Sequence, residues 1–227
     1  MNDFQLFFLR LLPFDYQIII LRKHYQLIIH QQQNQNHVIT ESLIQLIDEK
    51  GFEKVTVKDI AEKSTVNRAT FYLHFRDKYD LIHQCIEHIF SEIQKGIIIA
   101  PNIYDFFSNK PHPNFVHIFE TVRKHKYLFN VLLVKERNKL FTSGLMNIFH
   151  ELVAVGLDQF EPDDSNLNAP REIIIKIYEA TFLEVIIWWI ENDFKYSSEY
   201  MAKILLTTIL KGPYQQLPLE RNSLKTE

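Results

Sequence analysis

This sequence has little cysteine, glycine and proline, and each scarcity narrows the kind of protein it encodes. Its 227 residues include one cysteine, five glycines and eight prolines. The single thiol, Cys85, excludes an intramolecular disulfide framework and fits a reducing compartment, so we expect a cytoplasmic protein. Cys85 is interpreted as a small buried hydrophobe, with a redox sensor that lacks a resolving thiol as the alternative. Few glycines and prolines favour long helices over a loop-rich β fold.

The sequence also lacks a long hydrophobic run and a strong net charge. No segment approaches about 18 uninterrupted apolar residues, so we expect no transmembrane helix and no membrane partner. The net charge of −3 argues against a polybasic surface for nucleic acid. Any contact with nucleic acid must therefore come from a local basic patch.

Residues 1–35 form an appendage whose place in the fold the sequence leaves open. Its apolar clusters, such as Phe7–Leu9 and Ile18–Leu21, are interrupted by charged residues, and no signal-peptide cleavage site is present. A polar tract at 31–36 separates it from the rest of the chain. The appendage is either an extra helix that packs on the body or a translated upstream stretch.

Helical periodicity begins near residue 38, and punctuation residues divide the next sixty residues into four helices. Gly51 predicts the end of the first helix. Thr56 and Asn67 can cap the second and third helices with their side chains. Asp77 begins a fourth, longer helix that runs to about Lys95. Two short helices separated by a tight turn predict a helix-turn-helix.

The remainder of the chain is also predicted to be helical. After an irregular stretch that follows Gly96, helices are expected near 113–134, 138–158, 170–193 and 197–211. The predicted divisions are the appendage at 1–35, a helix-turn-helix domain at 36–84, a helical domain at 85–212 and a tail at 213–227.

An ordered set of residues in segment 38–86 resembles the DNA-binding domain of the TetR/AcrR family. The matching residues are Leu43, Leu46, Glu49-Lys50-Gly51-Phe52, Val55-Thr56-Val57-Lys58-Asp59-Ile60-Ala61, Asn67-Arg68-Ala69-Thr70-Phe71-Tyr72-Leu73-His74-Phe75 and Asp77-Lys78-Tyr79-Asp80-Leu81. The resemblance implies an all-α fold, with an N-terminal three-helix helix-turn-helix headpiece and a C-terminal helical domain for ligand binding and dimerisation. It also implies a DNA-binding transcription regulator.

The resemblance assigns nine residues to DNA binding. Those nearest base edges are Arg68, Ala69 and Thr70; those on phosphates are Tyr72, His74 and Lys78; those beside them are Thr56, Lys58 and Asn67. The helical spacing agrees, because Phe71 and Phe75 are four residues apart and can pack inward. Arg68 is the first choice for reading sequence, since its guanidinium can pair with O6 and N7 of guanine together.

Each of these residues also has an ordinary structural interpretation. Tyr72 could cover the headpiece core, His74 could be packed, and Lys58 and Lys78 could be solvated charges. The segment 38–80 has seven basic and eight acidic residues. We therefore expect modest affinity with a steep salt dependence.

Thr65 departs from the family pattern, which often has glycine in this turn. A β-branched residue is poorly suited to a positive φ. We therefore expect the turn to adopt a different backbone geometry.

The helix near 172–192 is apolar on more than one face and must be buried on two sides. A second copy of the chain is the simplest partner, and the resemblance implies a homodimer through helices 170–193 and 197–211. Two recognition helices in a dimer imply a palindromic operator. The stretch 188–197 also resembles a Firmicutes subgroup that includes regulators of dihydroxyacetone kinase operons.

Family members usually hold a small-molecule effector between these helices. The candidate lining residues are Phe119, Arg123, His125, Tyr127, Phe149, Tyr178, Phe182 and Trp188, with Phe115, Phe141, Met146 and His150 as further candidates. Packing in an ordinary core is the alternative for the aromatic residues. A repressor released by its effector is the commoner family behaviour, and an activator stays open.

Two other classes of protein compete with this interpretation. An enzyme would need a phosphate loop, a nucleophile elbow or a metal-ligand spacing, and the sequence has none of these. Hence no catalytic residue, metal or cofactor is expected. The second alternative is a TetR-like partner protein that has lost DNA binding, against which the intact Arg68, Tyr72 and Lys78 argue.

Overall fold

The computed structural model describes residues 23, 35–97, 110–160, 162–165 and 167–211, and every regular element in these ranges is helical. The helices are α1 (35–50), α2 (Val57–Lys63), α3 (Arg68–His74), α4 (Lys78–Gly96), α5 (Pro113–Lys124), α6 (Lys126–Phe129), α7 (Lys139–Phe160), α8 (Arg171–Glu191) and α9 (Ser198–Lys211). The predicted all-α fold is confirmed. The predicted tail and nearly all of the appendage lie outside the described residues.

The contacts divide the chain into an N-terminal unit, Met1–Ile82, and a C-terminal unit, His83–Glu227. In the N-terminal unit, α1 to α3 and the start of α4 contribute a buried core. Its fully buried side chains include Leu43, Ile60, Phe71 and Leu81. This core fixes the positions of the two short helices that form the helix-turn-helix.

The predicted helix boundaries of the N-terminal unit are confirmed where they depend on local chemistry. Gly51 ends α1 with a φ of 79°, and its N–H donates to the carbonyl of Ile47 at 2.8 Å. Glycine adopts this backbone at little cost because it has no Cβ. Asp77 stands before α4, and its Oδ1 accepts from the N–H of Asp80 at 2.8 Å.

The expectation that the turn at Thr65 avoids the geometry of a glycine turn is wrong. Thr65 has a φ of 56°, so it occupies the left-handed region that glycine would occupy. Its N–H donates to Glu62, and the N–H of Val66 donates to Ala61 at 3.0 Å. These two bonds form a Schellman motif that ends α2, and they hold a β-branched residue in a conformation it disfavours.

We expect replacement of Thr65 by asparagine to stabilise the protein by about 0.5–1 kcal/mol. A left-handed conformation costs a β-branched residue roughly 1–2 kcal/mol, and asparagine tolerates it better. Urea unfolding of the full chain measures the change, with Thr65→Val as a control of the same shape that keeps the strain. A lower unfolding midpoint for Thr65→Asn would contradict this explanation.

In the C-terminal unit, α7 packs along α8 and α5 packs along α9. The core between them is aromatic, with Phe119, Phe129, Phe141, Phe149 and Trp189 fully buried. The last three predicted helices are confirmed as α7, α8 and α9. The single helix expected at 113–134 is wrong, because the structure divides that stretch.

The division occurs at His125, which leaves helical geometry with a ψ of 30°. A short α6 and a π-helix at Asn130–Lys135 come next. Three consecutive residues of the π-helix, Val131, Leu132 and Leu133, are buried. An ordinary surface helix buries only one face. The π-helix is enclosed on several sides, so its apolar residues do not follow the spacing of an amphipathic helix.

Within α7, the segment Lys139–Gln159 is long and apolar enough, by length and composition, to cross a bilayer. This differs from the expectation that no segment qualifies, because the segment is apolar on average although scattered polar residues interrupt it. Core helices pass the same test. Phe141, Leu145 and Phe149 of α7 are buried and the helix packs on α8, but only 28% of its apolar stretch is buried in the described chain.

The predicted burial of Cys85 is confirmed. Its side chain lies on the inner side of α4, and the residue is 7% exposed. Burial raises the pKa of the thiol to about 12, since an apolar surrounding disfavours the thiolate. The thiol is therefore protonated and unreactive in the folded protein.

Candidate nucleic-acid interface

Helix α3 is held on the N-terminal unit by two phenylalanines. Phe71 is fully buried and Phe75 nearly so, and their ring centroids are 5.6 Å apart. Since the two residues are four apart, they occupy one side of α3 and fix which side remains outside. The predicted inward orientation of both rings is confirmed.

The outer side of α3 carries several of the residues predicted to meet DNA. Arg68 and Ala69 are exposed, and Tyr72 is 56% exposed although its ring meets Phe71 edge-on. Among the described residues Arg68 forms no ion pair. Its guanidinium therefore keeps its five donors for an external acceptor.

Thr56 caps α2 and is itself engaged by Asp59. The Thr56 Oγ1 accepts from the N–H of Asp59, and the Asp59 carboxylate accepts from the N–H of Thr56 at 2.8 Å, which completes a capping box. The Thr56 hydroxyl also donates to Asp59 at 2.7 Å. The predicted cap is confirmed, and the hydroxyl must turn away from Asp59 before it can donate to a phosphate.

Lys50 completes this cluster from the end of α1. Its ammonium lies 2.8 Å from Oδ2 of Asp59. Hydrogen bonds from Lys50 and Thr56 hold the pKa of the Asp59 carboxyl far below its ordinary value. Asp59 is therefore ionised and neutralised by Lys50, which limits its repulsion of a nearby phosphate.

Asn67 caps α3 through the same kind of contact. Its Oδ1 accepts from the N–H of Thr70 at 2.7 Å and from the Thr70 hydroxyl at 3.0 Å. The predicted cap is confirmed. The amide group of Asn67 remains a donor, whereas the Thr70 hydroxyl is committed to Asn67 and only its oxygen is left to accept.

Lys78 is anchored within the N-terminal unit. Its ammonium donates to the carbonyls of Phe52 and Glu53 at 2.9 and 3.0 Å, and it lies 4.7 Å from the centroid of the Phe52 ring. These contacts tie the start of α4 to the 3₁₀ turn at Phe52–Lys54. Since an ammonium has three donors, one remains for a phosphate.

Two further lysines of the unit pair with carboxylates at the surface. Lys63 lies 2.6 Å from Glu49, and Lys58 lies 3.7 Å from Glu62. Exposed pairs contribute little, about 0–1 kcal/mol, so a phosphate can displace Glu62 from Lys58. The near-neutral charge of the unit is therefore compatible with a local cationic surface at Lys58 and Arg68.

Leu73 is the outer residue that the resemblance did not assign to DNA. It is 80% exposed, the highest value among the large exposed hydrophobic side chains of the described residues. The sequence could have indicated this exposure, because Leu73 follows the inward-facing Phe71 by two residues. On a helix that spacing places a side chain on the opposite side.

Several of the residues predicted to line an effector pocket lie in the packed core of the C-terminal unit. Phe119, Phe149 and Phe182 are buried in the core. The Phe182 ring stacks with Phe115 at 4.9 Å and with Phe149 at 5.0 Å between centroids. A ligand could reach this cluster only if the rings moved apart.

The polar candidates are engaged elsewhere. Arg123 donates to the carbonyl of Tyr196 at 3.5 Å. His125 and Lys124 lie 2.9 and 2.7 Å from the carboxylate of Glu92. Among the remaining candidates, Tyr127 is exposed and Tyr178 is half-buried.

A buried carboxylate, absent from the predicted set, lies between α7 and α8. Glu179 is 1% exposed and accepts from His150 and from Lys176, each at 2.7 Å. Burial raises the pKa of Glu179, and the hydrogen bonds from Lys176 and His150 outweigh that effect and lower it overall. Glu179 is therefore an ionised, fully partnered group that links the two helices.

The outer sides of α8 and α9 carry an uncovered apolar stripe. Ile173, Ile177 and Trp188 of α8 are 49%, 55% and 44% exposed, and Tyr200 and Ile204 of α9 are 46% and 42% exposed. A shallow groove runs along the surface of α8, lined by Ala180, Thr181, Glu184, Val185 and Trp188. This stripe is the second apolar face that the sequence predicted for α8.

Both units match models of known protein families. Residues 39–85 match the model for bacterial regulatory proteins of the tetR family, and residues 109–211 match a transcriptional regulator C-terminal region, TetR_C_8. A curated relative, the uncharacterized HTH-type transcriptional regulator YxbF of Bacillus subtilis, is 25% identical over 73% of this chain. The chain spans about two fifths of the length of the first curated relatives it matches.

Solved structures show the same fold. A TetR transcriptional regulator from Streptococcus agalactiae superposes with a TM-score of 0.59 at 21% identity, covering 82% of this chain and 98% of that one. The dihydroxyacetone kinase operon activator DhaS gives a TM-score of 0.51 at 17% identity, covering 78% and 94%. The headpiece and the helical C-terminal domain expected from the sequence are therefore both present.

Proposed function

The chain belongs to the tetR family of bacterial regulatory proteins, and we propose that it regulates transcription by binding a palindromic operator as a homodimer. The observation that carries this proposal is the outer side of α3. There Arg68, Ala69 and Tyr72 stand exposed on a helix whose inner side is fixed by Phe71 and Phe75. Such a helix has the dimensions and the surface that the major groove of DNA admits.

We assign direct DNA contacts to Arg68, Ala69, Tyr72, His74 and Lys58. Arg68 reads base edges, and the others contact bases or phosphates around it. Of the remaining predicted residues, Thr56, Asn67 and Thr70 shape the starts of the two short helices, and Lys78 ties α4 to the 3₁₀ turn. Asn67 and Lys78 keep an N–H donor for a DNA phosphate, whereas the hydroxyls of Thr56 and Thr70 must turn from their present partners to donate to one. Residues 36–84 are the proposed DNA-binding domain.

The proposed dimer forms through α8 and α9, in the helical domain at 85–212. Their uncovered stripe includes Ile177, Trp188 and Ile204, which water would surround in a monomer. A twofold contact buries the same stripe from both copies. It also presents two α3 helices to one duplex, which is why the operator is proposed to be palindromic.

The proposed mode of action is repression in the cytoplasm, relieved by a small-molecule effector. A protein that occupies a promoter needs only its DNA-binding surface to repress. Release requires the effector to prefer a conformation of the C-terminal unit that binds DNA poorly. The buried rings of Phe119, Phe149 and Phe182 are the proposed site, and their separation would be the conformational change.

Selection from a pool of random DNA duplexes tests the DNA-binding proposal. We expect enrichment of a palindrome whose half-sites lie about one helical turn apart. We also expect the logarithm of the binding constant to fall linearly with the logarithm of salt concentration. Arg68→Ala is expected to weaken binding about 10- to 100-fold, through the loss of guanine contacts. Arg137→Ala, an exposed arginine of the C-terminal unit, is the control.

Two results would contradict the proposal. One is the absence of any enriched sequence, which would favour a partner protein that does not bind DNA. The other is an Arg68→Ala variant with the affinity of the wild type.

A further inference from the structure

The outer side of α3 has an apolar centre that the polar contacts to DNA leave unexplained. Ala69 precedes the buried Phe71 by two residues, and Leu73 follows it by two. Each is displaced from Phe71 by about 200° around the helix axis. Ala69 and Leu73 are four residues apart and therefore share one side, directly away from the core.

Exposure confirms this placement. Leu73 is 80% exposed, its neighbour Tyr72 is 56% exposed, and Ala69 is also exposed. A single exposed leucine is ordinary on a protein surface. This one lies beside two other exposed apolar groups, on the side of α3 that faces the groove in the proposed complex.

The major groove offers one apolar feature to such a side chain. Of the groups by which the major groove distinguishes the base pairs, only the 5-methyl of thymine is apolar, and the others are hydrogen-bond donors or acceptors. Leucine has no polar atom with which to meet a donor or acceptor. A base edge other than thymine opposite Leu73 would lose water and gain no partner.

We propose that Leu73 is a specificity-determining residue that selects thymine by contact with its 5-methyl group. The inference rests on the proposed function, because it needs α3 in the major groove. Arg68 and Leu73 then read different features, one a polar pair on guanine and the other a methyl group. Leu73 thereby adds a position of sequence preference that the resemblance did not include.

Deoxyuridine substitution in the duplex selected by the wild-type protein tests this directly. Deoxyuridine pairs as thymine does and lacks only the methyl group. We expect one symmetric pair of thymines at which the substitution weakens wild-type binding about three- to fivefold per half-site, or about 10- to 25-fold for the pair. In Leu73→Ala the same substitution is expected to have no effect, so the two changes together cost no more than Leu73→Ala alone.

Two further variants serve as controls. Leu73→Met keeps an apolar side chain of similar length and is expected to keep the deoxyuridine penalty. Leu140→Ala removes an exposed leucine of the C-terminal unit and is expected to bind as the wild type does.

The outcomes separate this inference from the proposed function. If no duplex is enriched, the proposed function fails and the inference falls with it. If a duplex is enriched and no deoxyuridine substitution affects the wild type, the thymine contact alone is overturned. A penalty that persists unchanged in Leu73→Ala overturns it as well, because another side chain then reads the methyl group.

Discussion

Replacement of Phe71 by alanine is expected to lower the free energy of unfolding of the N-terminal unit by about 3–5 kcal/mol. Phe71 is fully buried, and its ring meets those of Tyr72 and Phe75 at 5.4 and 5.6 Å. Truncation removes both contacts and leaves a cavity beneath α3. A domain of this size has roughly that much stability in total, so DNA binding should be lost with it.

Hydrogen exchange of the full chain measures this result. We expect faster exchange in α1 to α3 of Phe71→Ala, and unchanged protection in α7 and α8, which belong to the other unit. Phe71→Leu is the matched control, because a similar apolar volume usually costs less than about 1.5 kcal/mol. Wild-type exchange and DNA affinity in Phe71→Ala would show that this ring does not hold the recognition helix.

Replacement of Ile177 by aspartate is expected to dissociate the proposed dimer and, through that, to weaken operator binding. Ile177 is 55% exposed in the single chain, so the change has little effect on the fold. In the dimer the carboxylate would be buried in both copies, and each desolvation without a partner costs several kcal/mol. We expect the dimer dissociation constant to rise at least about a thousandfold.

Sedimentation velocity across a concentration series measures the assembly, and anisotropy with the selected duplex measures binding. A monomer holds one half-site, and the loss of the second contact lowers apparent affinity by about 10²- to 10⁴-fold. Leu140→Asp is the control, since Leu140 is also an exposed hydrophobic side chain but lies on α7. A dimeric Ile177→Asp protein, or a monomeric wild type, would contradict the proposed interface.

Sequence sufficed for the features of the N-terminal unit that depend on local chemistry. Gly51 ends α1, and Thr56 and Asn67 cap α2 and α3, because each effect involves residues within four positions. The inward orientation of Phe71 and Phe75 follows in the same way from helical periodicity. These features were enough to predict which side of α3 faces outward.

Thr65 shows where local preference fails. Its side chain disfavours a positive φ, and the two hydrogen bonds of the Schellman motif impose one nevertheless. Propensity describes the cost to one residue, whereas the turn is determined by the positions of α2 and α3 on a common core. The expected change of turn geometry was therefore wrong.

The π-helix at Asn130–Lys135 was unpredictable for a related reason. No proline or glycine lies between Asn114 and Lys135, so nothing in the sequence marks a break. Burial of three consecutive residues there reflects helices that enclose this stretch on several sides. Periodicity assumes one inner face and cannot register such an environment.

Side-chain partners distant in sequence were also out of reach. Lys78 donates to two backbone carbonyls about 25 residues away. Nothing in the sequence distinguishes these carbonyls from the others in the chain. The aromatic candidates for an effector site posed the same difficulty. The sequence left Phe149 and Phe182 open between lining an effector pocket and packing in the core, and only the structure shows that their rings stack on each other.

The single thiol of the chain has a practical consequence for studying its motions. Cys85 is buried and protonated, so an alkylating reagent modifies it only when α4 opens. Its modification rate therefore measures the local opening of α4. An added cysteine at an exposed site, as in Lys54→Cys, would react first. A fluorophore can thus be attached at one chosen position while the native thiol stays in place.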